Sequence, residues 1–240
     1  MSVSTDKRDL PMITDHDWTT DHWKKFWNSA PVIPFQLNEF NPELLKREKM
    51  LFPIADKKYR VLFPLCGKSY DMKWVADKGH TVIGVDCSEK ALTDFFNEHG
   101  VTFVVKNDGS FKVLQSTTVG CNITLYVGDF FNLPSASFEK CDAVFDYGSV
   151  IAIKPEERRK YADVINKKTT RDVNYLLCAF DFSGYMDPKP PTYANSPVMV
   201  VDAFGDIFNI KPILEVDRER YLRGVPKPVA REHYYYLTKK

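Results

Sequence analysis

Between residues 60 and 182, short continuous apolar runs alternate with longer segments whose apolar residues recur every three or four positions. The runs are RVLFPL (60–65), TVIGVD (81–86), CDAVFDYG (141–148) and VNYLLCAFDF (173–182). Their length suits strands, and their lack of polar alternation suits strands covered on both faces. The segments between them read as helices. YDMKWVADKG is closed by Gly79. EKALTDFFNEHG is capped by Ser88 and ends at Gly100, and Pro155 to Lys168 opens with Pro at its first position. This alternation predicts a parallel α/β sheet.

The flanks follow other rhythms. WTTDHWKKFWN (18–28) predicts a short amphipathic helix with Trp23, Phe26 and Trp27 on one face, broken by Pro31 and Pro34. Pro42 to Phe52 predicts a second helix, with Asn41 as its N-cap. Residues 101–127 predict a β-hairpin insertion followed by a return to the main sheet. GYMDPKPPTYANSP reads as a loop, and Val198 to Phe204 as a short helix. FNIKPILEVDRER and REHYYYLTKK read as an antiparallel pair at a mixed sheet edge. Residues 1–17 are polar and are expected to form a flexible tail. Residues 18–240, without repeat or linker, are expected to form one domain.

Composition narrows the class. A hydrophobic fraction of 44% in 240 residues supports a core without disulfide staples and argues against disorder. Thirty-three Lys and Arg balance 32 Asp and Glu, which argues against a dedicated nucleic-acid binder. The five cysteines, Cys66, Cys87, Cys121, Cys141 and Cys178, are widely spaced without a CxxC, as expected of reduced thiols. The chain shows no secretory h-region and no apolar stretch of membrane-spanning length. A cytoplasmic monomer is the expectation.

In an open α/β sheet, ligands bind beyond the carboxyl ends of the strands. The predicted ends here are Leu65-Cys66-Gly67, Asp86, Gly128-Asp129 and Asp146-Tyr147-Gly148. Asp86 lies nineteen residues after Gly67, where an acid accepts the hydroxyl hydrogens of a ribose; capping a helix is its alternative role. The first turn has one glycine where dinucleotide folds need several, which argues against NAD or FAD and is compatible with a nucleoside that carries no phosphate, such as S-adenosylmethionine. Gly67-Lys68-Ser69 is no P-loop, because Leu62 stands where that motif needs glycine. Asp129 either accepts an adenine amino group or caps a loop. Trp23, Trp27 and Phe35 either cover the ligand or pack on the core. His22, His99 and His233 receive no role.

The stretch RVLFPLCGKSYDMKWVADKGHTVIGVDCSE resembles the core motif of the thiopurine S-methyltransferases. NITLYVGDFFNLP, CDAVFDYGSVIAIKPEERRKYAD, NYLLCAF, the PPTY segment and the N-terminal Trp pair extend the likeness from about residue 18 to the end. The resemblance implies a class I methyltransferase fold, a Rossmann-like sandwich. Its sheet would be mostly parallel and seven-stranded, with an antiparallel edge strand and helices on both faces. It implies S-adenosylmethionine as cofactor and in-line methyl transfer to a small thiol or thiopurine. It places Trp23, Trp27, Phe35, Leu65, Gly67, Asp86, Cys87, Asp129 and Phe130 around the cofactor, and Asp146, Tyr147 and Arg220 at the acceptor, with Arg223 competing for the last place. Thiopurine enzymes carry Asp-Arg-Gly where this chain has Asp146-Tyr147-Gly148. Tyrosine lacks arginine's fixed charge and fork of donors. The halide and thiol methyltransferases resemble this chain in having Asp-Tyr there, which widens the expected acceptor to small thiols or other soft anions. The Tyr147 departure also motivates a second reading, a cofactor-binding sensor or scaffold without catalysis.

Overall fold

The computed structural model describes residues 18–30, 33, 36–134, 136–181, 193, 195–219 and 229–240. Expectations for the 1–17 tail, for most of the Pro-rich loop, and for Phe35, Arg220 and Arg223 lie outside these residues.

Among the described residues nine strands form one sheet: β1 (Arg60–Pro64), β2 (Thr81–Asp86), β3 (Phe103–Asp108), β4 (Phe111–Ser116), β5 (Ile123–Val127), β6 (Cys141–Tyr147), β7 (Thr169–Asp181), β8 (Phe208–Glu219) and β9 (Val229–Lys239). Their order is β3-β4-β5-β2-β1-β6-β7-β9-β8. The central five, β5-β2-β1-β6-β7, run parallel. β9 pairs antiparallel to β7, and β8 to β9. The strand count corrects the expected seven. The 103–116 hairpin does not stand off as an insertion, because β4 pairs antiparallel with β5 from Lys112↔Val127 to Gln115↔Thr124 and so widens the sheet. At the far edge, Pro212 sits at a register shift in β8, where a missing N–H costs least.

The helices are α1 (Thr20–Ser29), α2 (Pro42–Lys46), α3 (Glu48–Leu51), α4 (Tyr70–Asp77), α5 (Glu89–Glu98), α6 (Arg158–Lys168) and α7 (Pro197–Phe204). The expected helix 42–52 is broken at Arg47, whose ψ of 17° leaves the helical range. Pro155 opens a single 3₁₀ turn ahead of α6 rather than α6 itself. β7 begins four residues before the expected Val173.

Alternation along the strands divides the core between the two faces. Val61 and Phe63 of β1 join Phe145 of β6 and the apolar stripes of α2 to α5 in one cluster. Leu62 joins Val144, Tyr175 and the inner faces of α6 and α7 in the other. The carboxyl ends of the parallel strands are left along one edge, and α1 lies there, packed against α5 and the β2 end.

Candidate active site

The first turn is held in an uncommon shape. Leu65, though not a glycine, has φ of +45°, and Gly67 follows at +50°. Left-handed backbone costs a non-glycine residue roughly 1–2 kcal/mol and is found where neighbouring contacts over-determine it. Those contacts are present. The Cys66 N–H donates to the Val85 carbonyl at 3.1 Å, and the Gly67 N–H donates to Asp86 Oδ2 at 2.8 Å. Asp86 Oδ1 accepts the Ser88 N–H at 2.8 Å, and the Asp86 carbonyl accepts from the Gly128 N–H at 2.9 Å. One residue thus clamps the ends of β1, β2 and β5 together.

Asp86 is only 8% exposed. Burial pushes its carboxyl up from the ordinary range, while the Ser88 and Gly67 N–H groups pull it back toward the charged form. A carboxylate offers about four acceptor positions, and the backbone takes two. The remainder can receive two hydroxyl donors of a sugar.

Trp27 covers this turn. A methyl group on Gly67 would stand 2.9 Å from Trp27 Cζ2, closer than carbon atoms approach without something shifting. The glycine is therefore required by its backbone angle and by the indole above it. Trp23 stays half-buried, with Trp18 edge-on at 4.6 Å. The Cys87 thiol donates to the Thr20 carbonyl at 3.8 Å and ties α1 to the β2 end. Between α1 and the ends of β2 and β5 lies a cavity of about 420 Å³, whose lining includes Lys24, Asn28, Cys87, Ser88, Val127 and Gly128. That volume falls within the range of small-molecule sites. Its strand-end side, at Cys87, Val127 and Gly128, is uncharged and could take a nucleoside base, while its rim is charged, with Lys24, Glu89, Lys90 and Lys112.

The other expected site residues divide. Asp129 borders the same edge, and both its oxygens have local partners: Oδ1 accepts the Phe131 N–H at 3.0 Å, and Oδ2 the Asn132 side-chain amide at 3.0 Å. Phe130 turns into the core, its ring 5.1 Å from that of Tyr161. Asp146 is fully buried on the α6 face, where Oδ2 accepts the hydroxyls of Tyr161 and Tyr175 at 2.7 Å each and Oδ1 accepts the Ser149 N–H at 3.3 Å. Burial pushes its carboxyl up against the pull of those donors. Asp146 thus does not face the crevice; it holds the loop after β6, whose Ser149 hydroxyl also reaches the Pro64 carbonyl at 2.8 Å.

Tyr147 points to the opposite face. β1 and β6 pair with Leu62↔Val144, so three residues on, Tyr147 stands level with Leu65. The strand order reverses between these two strands, which is where open α/β sheets place their ligands. Its ring meets Phe180 edge-on at 5.0 Å, and its hydroxyl donates to Glu232 Oε1 at 2.9 Å.

Glu232, fully buried on β9, was not among the expected site residues, and of the residues bonded to it only Tyr147 was. Tyr234 donates to Glu232 Oε2 at 2.9 Å and receives the Asn41 amide at 3.3 Å. The one available signal was the alternation of REHYYYLTKK, which sets Glu232 on the same strand face as Tyr234. An acid aligned with large aromatics on a core-facing stripe requires a partner.

The thiopurine S-methyltransferase family model matches residues 18–240. The thiopurine S-methyltransferase of Bos taurus is 34% identical over 233 residues, covering 94% of this chain and 92% of the relative. That of Panthera tigris is 33% identical over 229 residues, covering 92% and 90%. Among solved structures, one titled for conversion of a disulfide bond into a thioacetal group during echinomycin biosynthesis superposes with a TM-score of 0.67 at 16% identity, covering 91% of each chain. The magnesium protoporphyrin IX methyltransferase of Synechocystis PCC 6803, solved with bound SAM, gives 0.60 at 15%, covering 90% and 96%. At such identities the structures establish the shared fold alone, whereas the family match and the sequence relatives go further: this chain belongs to the thiopurine S-methyltransferase family.

Proposed function

We infer that this chain is an S-adenosylmethionine-dependent S-methyltransferase acting on a small thiol or thiopurine. The observation that carries this reading is Asp86, a buried carboxylate held by the Gly67 and Ser88 N–H groups at the carboxyl edge of the sheet, beneath Trp27, in a chain of this family. The residues present fit the cofactor. Asp86 has acceptor positions left for both ribose hydroxyls. The cavity beside Cys87 and Val127 suits an adenine, and the indole of Trp27 suits a positively charged sulfur. Bound S-adenosylmethionine supplies a methyl group already activated by that charge.

What remains for the chain is alignment and exclusion of water. Leu65 and Gly67 shape the floor, Trp27 and α1 the cover, and Tyr147 the wall on the acceptor side. Trp23, Phe35 and Asp129 are proposed to complete the cofactor side, with Phe130 contributing through its backbone since its ring is in the core, and Arg220 the acceptor side. Asp146 contributes by fixing the loop that follows Tyr147. The finer proposal favours uncharged small thiols over thiopurines, since Tyr147 supplies no cation to the acceptor. The five cysteines are free, which fits a reducing compartment, and we propose the cytoplasm. No helix among the described residues is long and apolar enough to cross a membrane.

The test is a mass-spectrometric screen of aliphatic thiols, aromatic thiols, thiopurines and halides with labelled cofactor, run on the natural chain and on Tyr147→Arg. Methylation of thiols by the natural chain, with thiopurine turnover rising in the variant, is expected. Cofactor binding without transfer to any acceptor would overturn the reading and leave a sensor or scaffold.

A further inference from the structure

Glu232 is a carboxylate with no exposure, placed one hydrogen bond behind the acceptor wall. Burying such a group is costly unless it is fully partnered. Here each oxygen receives a phenol, Tyr147 on Oε1 and Tyr234 on Oε2, both at 2.9 Å. Tyr234 is itself fixed by Asn41, whose side-chain oxygen caps α2 through the Glu43 and Leu44 N–H groups and whose own N–H donates to Asp71 at 2.8 Å. The Arg47 guanidinium lies 5.9 Å from the centre of the Tyr234 ring, and the Cys178 thiol of β7 acts on Tyr234 from the sheet side. Burial raises the Tyr234 hydroxyl well above its ordinary value, so it serves as a fixed donor and does not ionise. Asn41, Tyr234, Glu232 and Tyr147 therefore form one chain of hydrogen bonds running from the start of α2 to the crevice.

The direction of that chain has a chemical consequence. The Tyr147 hydrogen is directed to Glu232, so a ligand meets the lone pairs of the phenol oxygen and not its hydrogen. A bare anion gains nothing from such a group, whereas a thiol can donate its S–H to it. Resting on the methyltransferase reading, we propose that Tyr147 and Glu232 form a proton relay that accepts the acceptor's thiol proton. The S–H bond breaks and its electron pair stays on sulfur as the thiolate. The proton joins the Tyr147 oxygen as the Tyr147 hydrogen passes to Glu232 Oε1, leaving a neutral carboxylic acid. A neighbouring sulfonium charge favours the resulting thiolate. Tyr147 is then a catalytic residue, and Glu232 a positioning residue that orients it and receives its proton. Acceptors that carry a proton are selected over halide and thiocyanate.

The test compares two thiols at pH 7, one aliphatic and protonated, the other 4-nitrothiophenol, already ionised. Glu232→Gln keeps the shape and an acceptor oxygen but cannot take the proton, and Tyr147→Phe removes the bridge. In each variant kcat/KM for the aliphatic thiol is expected to fall about 10²-fold, a typical general-base contribution, while the loss for 4-nitrothiophenol stays within about fivefold. A second readout uses S-adenosylhomocysteine in place of the cofactor and the ultraviolet absorption of bound thiophenolate. The bound thiol is expected to ionise at higher pH in both variants. Parallel losses on the two thiols, or an unmoved thiol titration, would overturn the relay. Efficient turnover of iodide by the natural chain would do the same. Absence of turnover of either thiol by the natural chain would overturn the methyltransferase reading as well. Should Glu232→Gln fail to fold, Tyr147→Phe decides by the same comparison.

Discussion

Replacing Asp86 with Asn isolates what the carboxylate does, because the two side chains have nearly the same shape. In the natural chain each carboxylate oxygen accepts one backbone N–H at 2.8 Å, from Gly67 and from Ser88. An amide has one oxygen and one NH₂ group. Whichever way it turns, one backbone N–H faces another donor. A buried donor left unpaired costs about 1–3 kcal/mol. Relief of the buried charge offsets part of that, so the free protein is expected to lose less than the full cost, about 1 kcal/mol, in urea denaturation. Cofactor binding suffers separately. The amide can accept from one ribose hydroxyl where the carboxylate accepts from two, and a hydrogen bond to a charged group is worth about 1.5–3 kcal/mol. The Kd for S-adenosylhomocysteine, measured by calorimetry, should rise about 10- to 100-fold. A variant that loses stability but binds within twofold of the natural chain would refute the ribose assignment and leave Asp86 as a clamp of the turn alone.

Asp71 provides a pH test, since burial raises its carboxyl from 3.8 to about 6 despite hydrogen bonds from Asn41 and Ser69. A raised acid makes the fold most stable below pH 3.8 and removes that stability as pH climbs through 6, by about 3 kcal/mol in all. The stability difference between the natural chain and Asp71→Asn, followed by denaturation from pH 4 to pH 7, should move by about that amount; a flat difference would contradict the burial argument. Gly67→Ala must carry φ of +50° and push against Trp27. It should cost about 1–2 kcal/mol in stability, shift the tryptophan fluorescence and weaken S-adenosylhomocysteine at least about tenfold. Unchanged fluorescence and affinity would show that Trp27 does not rest on this turn.

The fold was legible where one local rule decided the outcome. TVIGVD became β2 with both ends as expected, because six continuous apolar or strand-ending residues have no competing structure. Ser88 capped its helix, and Asn41 capped α2 through two N–H groups. The 103–116 hairpin was visible as a hairpin, but its pairing with β5 depends on long-range register that a single sequence does not display. The site divided along the same line. Asp86 and Gly67 were placed by their positions after strands. Asp146 and Tyr147 are neighbours in sequence, yet strand alternation sends one to the α6 face and the other toward the crevice. Glu232 lies 85 residues beyond Tyr147, and only the β7–β9 pairing, with Phe180 opposite Glu232, brings the two together.

The claim on which the function rests is that the crevice at the carboxyl edge of the sheet holds the methyl donor by its sugar. A crystal structure with S-adenosylhomocysteine examines this directly. The account predicts both ribose hydroxyls within about 2.5–2.7 Å of the Asp86 carboxylate oxygens, adenine beside Cys87 and Val127, and the indole of Trp27 over the sulfur end. A ligand bound elsewhere, or one whose ribose does not touch Asp86, would contradict it.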